Sequence, residues 1–354
     1  MTKQHDLDFV DKLGMYKIYD KWPEIAQSAF NSDLEEISFD EIDHIVFAGM
    51  GGSGAIGDLF SSILSKSNIH VSTVKGYLLP KTVDKNTLVI TTSVSGNTDE
   101  TLTVLSNAKK LDCNLIAFFS GGKMEEYCKK THVDYRKLDL IHSPRASFVN
   151  FTYSILKTLG STLPIEKNGV LESIREITNT RNHISSLNLS ESNPALTLAN
   201  WISGIPLIYY PHGLQSSAIR FKASLQENAK AHAIIEDVIE SCHNGVVAWE
   251  KPSTIQPILL RGQDDYIKTK ERFEIVKEST KLNLKKSDIS RYSNVGRWLN
   301  PGGWSVADII EDVTYDDMME TFEANYDMDK FYVSNDKTEF GSGIEIIGML
   351  QFKS

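Results

Sequence analysis

Cysteine is scarce: Cys113, Cys128 and Cys242 are the only three in 354 residues, at no spacing that suits a zinc site or a disulfide framework. Positive charge is in deficit as well, with 37 Lys and Arg against 47 Asp and Glu, a formal net charge of -10. A nucleic acid or an anionic membrane surface requires the opposite excess, so neither is an expected partner. No apolar run approaches the roughly 18 residues of a membrane span. The opening stretch MTKQHDLDFVDKLGMYKIYD is charged throughout and lacks the apolar core of a secretory signal. A reducing cytoplasm is the expected setting, and an anionic small ligand has to be met by local donors.

The chain is 41% apolar and 24% charged, ordinary for a globular protein and long enough for two cores. After a helical lead-in at about 6–31, β-rich apolar runs at 44–48, 70–75, 87–92 and 114–119, with a short one near 133–135, alternate with helical patterns. That alternation predicts a parallel sheet. The segment 99–111, DETLTVLSNAKKL, begins with acids and ends with lysines, as a crossover helix aligned with its dipole would. A helix over 147–159 leads through GSTLPIEKNG into a sparser second series. Its expected helices lie near 169–188, 194–202, 215–229 and 266–282, and its strands at 206–211 and 255–261. The expected organisation is an α/β unit at 1–160, a related unit at 161–285, and a divergent acidic segment at 286–354 that ends in the strand-like IEIIGMLQF.

The segment IVFAGMGGSGAIG at 45–57 contains GxGxxG at Gly49, Gly51 and Gly54, between an apolar run and an amphipathic one. Any loop that aims helix N-terminal amides at an anion uses such glycines, so the motif indicates a phosphate without saying which. A second loop, TTSVSGNT at 91–98, also joins a strand to a helix, and alone it reads equally as an ordinary Ser/Thr cap. Together the two loops converge on one monophosphate, with Gly52, Ser53, Ser93, Ser95 and Thr98 as the expected ligands. A dinucleotide site needs an acid after the second strand, where the sequence has Val74-Lys75-Gly76; Lys75 leaves an NADP version open.

These loops, with SPRASF at 143–148, FKASLQENAKAHA at 221–233 and ESCHNGVVAWE at 240–250, resemble the sugar isomerase (SIS) domain superfamily. Within it they are most similar to the archaeal and bacterial bifunctional phosphoglucose/phosphomannose isomerases, over about residues 40–285. The resemblance implies two three-layer αβα SIS units with parallel sheets, and interconversion of glucose or mannose 6-phosphate with fructose 6-phosphate through a cis-enediol. It implies no cofactor and no metal, and a homodimer with the site at its interface. It assigns Glu227 as the base that alternates with acid, His243 as the ring opener and Arg145 as the cation that stabilises the enediolate or orients the sugar hydroxyls.

Each residue also has a plainer reading: a solvated helix-end acid for Glu227, an exposed or structural histidine for His243, a surface ion-pair partner for Arg145. His212 reads as a turn residue, Trp298, Trp304 and Tyr315 as core or interface, and Glu311, Asp312, Asp316 and Asp317 as a solvated acidic face. The tail departs from the resemblance, which implies a C-terminal lysine near the sugar; Arg297 and Lys285 are the substitutes in view. Rival functions are a sugar-phosphate sensor without catalysis, an amino-sugar phosphate isomerase or deaminase, and an NADP oxidoreductase.

Overall fold

The computed structural model describes residues 4–251, 253–262, 265–282 and 333–336. Helices α1 (Gln4–Val10), α2 (Met15–Tyr19) and α3 (Trp22–Phe30) open the chain. The first sheet is built from β1 (His44–Ala48), β2 (His70–Val74), β3 (Thr87–Ser93), β4 (Asn114–Phe119) and β5 (Asp134–Lys137). Its order is β2-β1-β3-β4-β5 and every pairing is parallel. β1 and β3 are buried at every position, as strands covered by helices on both faces must be, and their residues are accordingly almost all apolar or Thr. The crossovers are α4 (Gly51–Ile63), α5 (Asp99–Ala108) and α6 (Gly122–Thr131), followed by α7 (Phe148–Thr158) and α8 (Lys167–Ile184).

From β1 the chain moves outward to β2, and from β3 it moves the opposite way to β4. The carboxyl ends of β1 and β3, paired at Ala48 and Thr91, therefore flank the topological switch point, where an open α/β sheet leaves a crevice. Both glycine- and hydroxyl-rich loops begin there.

The second unit holds α9 (Pro194–Trp201), β6 (Ile205–Tyr210), α10 (Gln215–Ser224), β7 (Ile234–Asp237), α11 (Val238–Ser241), β8 (Ile255–Gly262), α12 (Ile267–Leu282) and β9 (Val333–Asp336). Its sheet runs β7-β6-β8-β9, again parallel throughout. This is the expected α/β architecture of two units with parallel sheets. α8 bridges them: Val170, Ile174 and Ile177 join the core around Phe47 and Phe118, while Ile184 joins the core around Ile208 and Phe221.

The expected helix at 215–229 is α-helical only to Ser224 and then widens into a π-turn over Leu225–Ala229. Within the tail, β9 lies in the described part. Arg297, Lys285, Trp298, Trp304, Tyr315, the four acids from Glu311 to Asp317 and the IEIIGMLQF run lie outside the described residues.

Candidate active site

The first loop leaves β1 and enters α4 directly. A Cβ on Gly49 would lie 2.9 Å from the Thr92 carbonyl oxygen, and one on Gly54 would lie 2.8 Å from that of Gly49. The GxGxxG spacing is thus met by close backbone packing between loop, helix and β3. The second loop sits alongside, since the Val94 amide donates to Ser53 Oγ at 3.4 Å. Ser93 Oγ lies 2.9 Å from Thr98 Oγ1 and also accepts from the Gly96 amide at 3.1 Å. Ser53 and Ser93 are buried, Thr98 is half-buried and Ser95 is exposed. No side chain caps α4 or α5, so the first-turn amides at these two neighbouring N-termini are not used up by caps.

Lys75, the residue on which an NADP reading rests, is held by the Asp58 carboxylate, whose pKa burial raises against the pull of that lysine. It is committed to α4 rather than extended toward a ligand.

The predicted base and cation come together across the two units. Arg145 Nε lies 2.6 Å from Glu227 Oε2, and Arg145 Nη1 donates to Asn228 Oδ1 at 2.8 Å. The π-turn produces this geometry, because one residue more per turn carries Glu227 out of the α-helical register. The turn closes on Lys230 in the left-handed region at φ 54°, and Lys230 Nζ donates to the Glu227 carbonyl at 2.7 Å. The pair is next to the first loop: a Cβ on Gly52 would be 3.5 Å from the Pro144 carbonyl oxygen and 3.8 Å from Arg145 Cα.

His243 is not bonded to this cluster. It follows α11, is exposed, and has no hydrogen bond or ion pair from its side chain to Arg145, Glu227 or either loop among the described residues. His212 is likewise exposed, at the start of a single 3-10 turn after β6. Among the described residues no group of three His, Cys, Asp or Glu is placed to hold a metal ion.

Two residues absent from the predicted site belong to it by position. Asn228 bonds Arg145 through its carbonyl, while its Nδ2 is buried and unpartnered. Arg220, only 1% exposed, donates from Nη2 to the Arg145 carbonyl at 2.7 Å. The one signal available was an arginine in the middle of α10, the serine-rich helix QSSAIRFKAS that precedes QENAK.

Residues 38–162 match the SIS domain family, and residues 191–292 match the bacterial phospho-glucose isomerase C-terminal SIS domain. A bifunctional phosphoglucose/phosphomannose isomerase from Caldicellulosiruptor bescii is 31% identical over 274 residues, covering 73% of this chain and 80% of that one. A D-glucosamine-6-phosphate 4-epimerase from Sulfolobus acidocaldarius is 28% identical over 239 residues, covering 66% of this chain and 72% of that one. Among solved structures, the C-terminal domain of glucosamine-fructose-6-phosphate aminotransferase from Francisella tularensis superposes with a TM-score of 0.59 at 15% identity. The match covers 96% of this chain and 93% of that one, and it speaks for the fold alone.

Proposed function

Since the chain belongs to the bifunctional phosphoglucose/phosphomannose isomerase family, we propose that it is an aldose-ketose isomerase interconverting glucose 6-phosphate and mannose 6-phosphate with fructose 6-phosphate. The observation that carries the reading is the Arg145–Glu227 contact beside Gly52, which sets a carboxylate and a cation at the edge of the glycine- and hydroxyl-rich loops. Ser53, Ser95 and Thr98 hold the substrate phosphate together with the Gly52 amide, and Ser93 supports Thr98.

With the phosphate anchored, the Glu227 carboxylate removes the C2 proton of the open-chain aldose, and the carbonyl oxygen on C1 takes up the displaced charge. Arg145 turns from Glu227 to that oxygen and stabilises the enediolate. The proton of the C2 hydroxyl passes to the oxygen on C1, Glu227 returns its own proton to C1, and C2 becomes the ketone carbon, so nothing is gained or lost. C2 is planar in the intermediate, and a site that does not control the face of reprotonation there serves both aldoses.

His243 opens the pyranose ring. Its exposure, and the lack of a hydrogen bond or ion pair from its side chain to Arg145 or Glu227 among the described residues, support a homodimer in which the partner supplies it. We read 1–160 as the anion-binding unit, 161–285 as the unit that brings the base, and 286–354 as a divergent segment; three free thiols fit a cytoplasmic setting. The test is fructose 6-phosphate offered to the protein with separate detection of glucose 6-phosphate and mannose 6-phosphate; formation of neither refutes the reading. Glucosamine 6-phosphate is the comparison substrate, because a similar chain carries the epimerase name.

A further inference from the structure

The buried polar face of α10 is not accounted for by the reaction as described. Ser217 Oγ, Arg220 Nε, Ser224 Oγ and Asn228 Nδ2 are all buried without a hydrogen-bond partner. Ser217, Arg220 and Ser224 recur at intervals of three and four residues, the spacing of a single face of α10, and Asn228 follows in the π-turn. Arg220 is the charged member. Its guanidinium lies 5.3 Å from the Phe148 ring centroid, and Nη1 lies 3.6 Å from a Cβ built on Gly52. No ion pair joins it to a carboxylate among the described residues, because Glu227 is taken by Arg145. Burial is the largest influence on it and works against its charge; Tyr19 and Glu227 only partly offset this.

A guanidinium stays protonated even so, and an unneutralised buried cation is expensive to keep. Here it stands beside the first turn of α4, whose amides already favour an anion, and glycine at 52 puts no side chain between them. We propose that Arg220 is the buried positive charge of the phosphate subsite, reaching from the second unit to stabilise the substrate's phosphate dianion at the N-terminus of α4. This rests on the isomerase reading for the identity of the ligand. Its hydrogen bond to the Arg145 carbonyl fixes the guanidinium in that position and ties the subsite to the catalytic pair.

The test uses the full chain and inorganic phosphate, titrated by calorimetry, so that it does not depend on turnover. Arg220→Met is expected to weaken phosphate binding about tenfold or more, and to raise KM for fructose 6-phosphate by a larger factor than it lowers kcat. A folded Arg220→Met protein with wild-type phosphate affinity overturns the proposal and leaves the arginine a packing residue. If that variant does not fold, Arg220→Lys decides the matter. A buried lysine loses its proton below its usual pKa, so phosphate affinity should fall toward about pH 9 in this variant and not in the wild type. Matching pH profiles for the two overturn the proposal. Wild-type protein that binds no phosphate overturns both this and the cradle, whereas phosphate binding without isomerase activity counts against the isomerase reading alone.

Discussion

Replacing Glu227 by Gln separates chemistry from folding, because the structure sets very different scales for the two. The Arg145 and Glu227 side chains are 33% and 36% exposed, so water screens the ion pair and its contribution to folding is below about 1 kcal/mol. Arg145 keeps its hydrogen bond to Asn228 Oδ1, and the new amide can still accept from Nε, which reduces the loss further. The melting temperature should therefore fall by no more than about 3 °C. Turnover is another matter. An amide does not take the C2 proton, and removal of a general base costs about 10²- to 10⁴-fold, or roughly 3 to 5.5 kcal/mol of barrier. Inorganic phosphate should bind as before, since both loops are untouched. The assays are a coupled measurement of fructose 6-phosphate conversion, loss of deuterium from C2 of glucose 6-phosphate, and a thermal melt. Deuterium exchange at the wild-type rate in Glu227→Gln would assign the base elsewhere. A melt lowered by tens of degrees, with activity lost in proportion, would make the residue structural.

Thr98→Val is nearly isosteric and removes a hydroxyl that takes no part in capping α5, so the fold should hold while phosphate affinity drops about one to two decades. Unchanged affinity by calorimetry removes Thr98 from the cradle. His243→Ala should slow isomerisation of cyclic substrate far more than deuterium exchange from an open-chain analogue; equal losses would count against a ring-opening role. His44, in contact with His70, Ser72 and Thr87, has its pKa held below the usual 6.5, first by burial and then by the His70 charge. The folded state thus binds that proton less readily than the unfolded one: stability is complete above about pH 6.5 and declines as the pH falls from there. His44→Gln should show a shallower fall in melting temperature between pH 7 and 5.5 than the wild type, and an identical slope refutes the assignment.

Where a strand carries an unbroken apolar run after a polar first residue, its limits could be read from the residues: 44–48 and 114–119 are the strands β1 and β4. β7 reads IIED and β9 reads VSND, each too short and too polar to stand out from a loop, and both take their place in the sheet by pairing with a longer neighbour. The two loops were legible because glycines and hydroxyls cluster between an apolar run and a helical one. The roles proposed for Arg145 and Glu227 were legible only through resemblance. Periodicity places Glu227 on a solvated helix end, and the departure into a π-turn that brings it to Arg145 has no signature in the residue pattern. Arg220 escaped for the same reason: a sequence does not show which face of α10 lies on α4.

Because Arg145 comes from one unit and Glu227 from the other, neither half of the chain holds the whole of the pair to which the proposed reaction is assigned. Between the end of α8 at Ile184 and the start of α9 at Pro194 lies a connection whose Leu187 is 91% exposed. Cutting there would turn the enzyme into a two-component system. The intact connection supplies the second component at an effective concentration on the order of millimolar; once it is cut, specific activity would depend on dilution and be restored by mixing the halves. The rate of sugar isomerisation would then report how tightly α10 docks on α4.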